Sequence, residues 1–155
     1  MKKIYQYLSY AGALPFVFCA LCFIKDIHIF PLLGYVDSIL SSYGLVISSF
    51  MAGSHWGQHL NLSGKWRIYL PIFSNINAIL LWLSFIIFPF KFFFILVISF
   101  LALLLIDHKL YQGGVISYEY FRTRFLATLI VISSLIISGY YAWRVLPSLE
   151  LINLD

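Results

Sequence analysis

Five apolar runs, each near the length that crosses the hydrocarbon core of a bilayer, divide this chain. They cover residues 7–24, 38–56, 68–88, 92–106 and 125–143. In hydrocarbon no water is available to satisfy an exposed N–H or C=O, so a spanning segment must close its own hydrogen bonds. Runs of this length do that as α-helices. The expected fold is an all-α membrane protein, a bundle of five transmembrane helices forming a single transmembrane domain over residues 1–155. Only 10% of the residues are charged and 62% are hydrophobic. Soluble domains carry about 25% charged residues, so lipid is the natural solvent.

Orientation follows from lysine and arginine. Lys2, Lys3, Lys65, Arg67, Lys109, Arg122 and Arg124 fall on one side of the runs. Lys25, Lys91 and Arg144 fall on the other. The bias places the N-terminus in the cytoplasm and, with an odd helix count, the C-terminus outside. The net charge of +4 thus serves topology and anionic headgroups. No basic, aromatic-studded surface of the kind nucleic acid needs is present, so nucleic acid is not an expected partner.

Met1-Lys2-Lys3 before an apolar stretch resembles a signal peptide. The stretch is long enough to span and no small-x-small site follows, so an uncleaved first helix is expected. Cys19 and Cys22 form a Cys-x-x-Cys inside the first run. Buried thiols in apolar surroundings stay inert, and two small packing residues are expected.

Chemistry concentrates in the second run. Ser49, Gly53 and Gly57 step by four, which makes a close-approach face for another helix. Gly12 and Pro15 in the first run are expected to shape packing there, with the carbonyl of Ala11 freed by the proline. Beside the glycine stripe run Ser41, Gly44, Ser48, Ala52, His55 and His59. His55 and His59, at i and i+4, share a helical face and could ligate a metal or haem, with Asp107 or His108 as third ligand. Two imidazoles alone are an incomplete site, so no metal and no cofactor is expected.

Topology gathers polar residues at the cytoplasmic side. His55 and Trp56 end the second run, Asp107 ends the fourth, and Arg122 and Arg124 precede the fifth. Asn75 lies about two turns into the third, where an amide should face the bundle or a wet cavity. These six are candidate ligand or pocket residues. Asp107 could equally pair with Arg122 or Arg124 across a helix junction, and the arginines could be headgroup anchors.

Tyr10-Ala11-Gly12-Ala13-Leu14-Pro15-Phe16, Tyr43-Gly44, Ser49-Phe50-x-x-Gly53-x-His55-Trp56-Gly57, Asp107 and Tyr120-Phe121-Arg122 resemble the domain-of-unknown-function family numbered 3429. Gly-x-His-Trp-Gly is the strongest piece. Phe121 and the spacing of Arg124 from Arg122 depart from the pattern, and His59 lies outside it. That family includes bacterial inner-membrane proteins and the mitochondrial transmembrane protein 69. The resemblance implies a small multi-pass protein of the bacterial inner membrane, with no assigned activity.

No nucleophile–base pair and no phosphate loop stands out, so an enzyme is the least supported class. Two expectations remain. One is a small accessory protein that meets a partner membrane protein, or a second copy, through the Ser49/Gly53/Gly57 face. The alternative is a binder or carrier of a lipid, quinone or small anion in a cytoplasm-facing polar pocket.

Overall fold

The computed structural model describes residues 4–152, with backbone only for residues 61, 90 and 144–152. Lys2, Lys3 and the side chain of Arg144, all used for orientation, lie outside the described residues, as do Asn153 to Asp155. Five helices make up almost everything else: α1 (Ile4–Ile24), α2 (Val36–Gln58), α3 (Trp66–Ile87), α4 (Phe92–Gln112) and α5 (Tyr118–Ile152). All five are long and apolar enough to cross a membrane. A two-residue hairpin, β1 (Ile29–Phe30) and β2 (Gly34–Tyr35), fills the α1–α2 connection with Ile29 opposite Tyr35.

Several helices run past the apolar segments that announce them. α4 continues beyond Ile106 through Asp107-His108-Lys109 to Gln112, because nothing breaks the helix before Gly113-Gly114. Gly114 (φ +71) then takes the left-handed conformation. Its N–H donates to the Tyr111 carbonyl and that of Val115 to the Leu110 carbonyl, the Schellman pattern. Ser117 starts α5 seven residues earlier than the apolar run does. Its Oγ accepts from the N–H of Tyr120, three residues on, as an N-cap should. Glu119 in the first turn suits the positive end of the helix.

α1, α5, α4 and α2 contact one another in a closed ring, and α3 sits outside, against α2 and α4. Only Leu70, Ser74 and Leu81 of α3 are buried. Aromatic rings fill the centre of the ring of helices. Phe16 meets Phe100 edge-on at 5.9 Å and Tyr43 at 5.2 Å. Phe23 meets Phe93 at 6.3 Å. Cys19 and Cys22 are buried free thiols in this core.

The close helix approach is at Gly44 rather than Gly53. A Cβ on Gly44 would lie 2.5 Å from Leu96 Cδ1, and Leu96 is fully buried. Gly53 and Gly57 are exposed, and a Cβ on either would meet nothing within 4 Å. Ser49 is half-buried. The stripe that turns inward is its neighbour: Ser41, Gly44, Ser48, Ala52 and His55 are all buried. The two stripes are adjacent on one helix, and α4 fits against the one that carries hydroxyls for it. Near Pro15, the Tyr43 hydroxyl donates to the carbonyl of Gly12 at 3.1 Å, one residue on from the carbonyl the proline frees.

Candidate functional site

α2 and α4 end, and α5 begins, at the same end of the bundle as the start of α1. His55, Asp107 and Arg124 meet there. His55 Nε2 donates to Asp107 Oδ1 at 2.8 Å, and Arg124 Nε donates to Asp107 Oδ2 at 3.0 Å. His55 and Asp107 are fully buried, and the Arg124 side chain is 11% exposed. Both carboxylate oxygens are therefore engaged. Burying an ion pair costs desolvation, and the imidazole offsets part of that cost by filling the second carboxylate oxygen. The Nδ1 atom of His55 and the Nη2 atom of Arg124 are buried without a partner. Tyr120 packs under the guanidinium, with Arg124 Cζ 6.0 Å from the ring centre.

Two turns along α2 from His55 lies a second polar contact. Ser48 Oγ and Ser99 Oγ are 2.9 Å apart, and Ser99 Oγ donates to Asn77 Oδ1 at 2.9 Å. This joins α2, α4 and the outer helix α3. The buried hydroxyls of Ser74, Thr123, Ser134 and Ser138 each bond a carbonyl one turn back on their own helix. They need nothing from outside.

Three candidate pocket residues do not join the cluster, and helix geometry explains two of them. Residues two apart on an α-helix point about 200° apart. Arg124 faces in, so Arg122 faces out and is exposed. Asn77 faces Ser99, so Asn75 is exposed, and its Nδ2 donates to the Pro71 carbonyl of its own helix at 3.0 Å. The expectation that Asn75 faces the bundle is corrected to Asn77. Trp56 is likewise exposed, at 53%. His59 turns back on α2, where its Nδ1 bonds the Trp56 carbonyl and its ring stacks on Trp56. His108 pairs with Gln112 at 3.0 Å. Neither reaches His55. Among the described residues, no three His, Cys, Asp or Glu side chains gather.

Arg124 also borders a cleft that sequence reasoning missed. The cleft is about 490 Å³ and lies between α1, α2 and α5, floored by Phe100 of α4. Leu8, Ala13, Ile47, Phe50, Met51, Ala127 and Val131 give it an apolar wall. Tyr5, Tyr120 and Arg124 line one end. The Tyr5 and Tyr120 rings lie 5.8 Å apart. The signal for it was weak, because small residues on α1 and α5 (Ser9, Gly12, Ala127, Thr128) look like helix packing until the gap they leave is seen.

A family model described as "Protein of unknown function (DUF3429)" matches residues 1–140. The chain belongs to this family. The match covers α1 to α4 and α5 as far as Tyr140, so the buried cluster and the cleft both lie within the DUF3429 region. No curated protein and no solved structure matches the chain.

Proposed function

We propose that this protein is a non-enzymatic, multi-pass protein of the bacterial inner membrane that binds an amphipathic, membrane-soluble ligand in the α1–α2–α5 cleft. One observation carries this reading: an apolar cleft of about 490 Å³ is bordered by a single charged side chain, Arg124. Ligand sites in general are concave, mostly apolar and marked by a few placed polar groups. In this reading His55 and Asp107 hold Arg124 in place and need not touch the ligand. The lysine and arginine bias supports a cytoplasm-facing position for this end and an outer C-terminus.

The test is native mass spectrometry from lipid nanodiscs. Gly12 lines the cleft, and a Cβ there meets nothing within 4 Å, so a side chain at this position starts into open space and Gly12→Phe is chosen to occupy the cleft. The wild type is expected to retain a small lipophilic adduct, and Gly12→Phe to lose it while staying folded. A wild-type protein that carries no adduct beyond bulk lipid would end the proposal.

The uncovered Gly53–Gly57 face favours a second reading, an accessory role in which a partner helix or a second copy lies against α2. A complex stable in gentle detergent and lost on Gly53→Leu supports it. A monomer that purifies alone in both forms counts against it.

A further inference from the structure

The cleft between α1, α2 and α5 is half a membrane deep. Its lining begins on α1 at Tyr5 and ends at Ala13, beside Leu14, the middle residue of that helix. On α2 it runs back from Ser54 to Ile47, the middle of that helix. On α5 it runs from Tyr120 to Val131, at the middle of the apolar span Tyr118–Trp143. On each helix the lining residues recur within four positions of one another, so they form strips parallel to the helix axes. At 1.5 Å per residue the strips measure about 10–17 Å, against about 15 Å for half of the hydrocarbon core.

The deep end is closed. Tyr43, one turn before Ile47 on α2, donates its hydroxyl to the Gly12 carbonyl at 3.1 Å, and its ring meets Phe16 of α1 at 5.2 Å. Phe16 in turn meets Phe100 at 5.9 Å. These side chains bridge α1, α2 and α4 at the level where the lining stops. The flank between α1 and α2 is open, since Leu8 and Phe50 line the cleft yet are 67% and 75% exposed. At the shallow end stand Tyr5 and Tyr120, a residue type enriched at the membrane–water interface.

We infer, building on the ligand-binding reading above, that the ligand is a lipid with a straight acyl tail, taken sideways from the leaflet at this end of the bundle, its tail lying along the cleft and stopping at mid-membrane. A leaflet lipid already has that depth and that direction, so it enters through the open flank without turning. Lipid tails are as apolar as leucine, so transfer from the bilayer contributes little by itself. Retention comes from dispersion contacts along the three walls. The adduct of the nanodisc experiment is then one lipid molecule that stays when the surrounding lipid is stripped away.

The probe is a phosphatidylcholine carrying a photoactivatable diazirine, reconstituted with the full chain in nanodiscs and read by peptide sequencing in the mass spectrometer. One form carries the diazirine at the end of the tail, the other beside the glycerol. Ala13 and Val131 line the deep end but are only 3% and 5% exposed, so lipid around the outside of the bundle does not reach them. The tail-end form is expected to label Ala13 and Val131, and the glycerol form Tyr5 and Tyr120. Gly12→Phe should lower the deep label at least about tenfold, because a filled interior leaves no room for a tail. Ala127→Leu narrows the cleft from the α5 wall and should lower the same label, which keeps the test independent of how one variant folds. Label confined to exposed residues such as Leu8 and Phe50, or the same residues labelled by both forms, overturns the tail assignment. If an adduct is then still retained by the wild type and lost in Gly12→Phe, the cleft reading stands without it. No deep label and no adduct removes both.

Discussion

Asp107 and His55 stand 52 residues apart in sequence and meet at 2.8 Å with both side chains fully buried. Neither can turn to solvent for relief. The stability of this end of the bundle therefore depends on the cluster staying complete.

Asp107→Leu should destabilise the fold by about 3–5 kcal/mol, because it leaves the Arg124 charge buried and unpaired. The double variant Asp107→Leu/Arg124→Leu should be milder than the single one. Chemical unfolding in mixed micelles measures both. A double variant as unstable as the sum of the two singles would contradict this account of the pair.

Gly44→Ala is expected to cost about 1–3 kcal/mol through overpacking. The new methyl would press on Leu96 at 2.5 Å inside a filled core. Adding Leu96→Ala should recover part of the loss. Gly53→Ala, two residues from His55 but in open space, should change stability by less than about 0.5 kcal/mol. A larger effect from Gly53 than from Gly44 would reverse this assignment of packing.

Ser48 and Ser99 should couple weakly. Hydrogen bonds between membrane helices average about 0.6 kcal/mol by double-mutant cycle. A Ser48→Ala, Ser99→Ala cycle should return a value of that size. Removing Ser99 should be the worse single change, since it also strands Asn77 Oδ1, held at 2.9 Å.

Reporter fusions test the proposed orientation. Fusions in the 113–117 turn should report the cytoplasm, and fusions in the β1–β2 hairpin the opposite side. The reverse pattern would also move the cleft's polar end to the outer face.

Hydropathy made the number of helices legible, because lipid leaves a twenty-residue apolar run few other choices. The ends were less legible. Asp107 to Gln112 and Tyr118 to Arg124 look like loops by polarity, yet they are helical because the turn signals sit at Gly113-Gly114 and Ser117. Of the candidate site, the convergence of His55, Asp107 and an arginine followed from topology, while the choice of Arg124 over Arg122 depended on helix phase. The glycine stripe was harder still. Gly53-x-x-x-Gly57 has the spacing of a contact face, but spacing alone does not say whether another helix of the same chain lies there. The cleft has no sequence signature, since it is made of what four helices fail to fill.

Arg122 and Arg124 set the phase of α5 for good. One guanidinium is committed to Asp107 inside, and the other stands on nearly the opposite side of the helix, in the open. Turning α5 about its own axis would drag Arg122 into the core and pull Arg124 off its carboxylate. α5 is thereby keyed like a shaft in its hub, and a single-residue insertion between Ser117 and Arg124, about 100° of rotation, should be far more damaging than one placed in the turn before it.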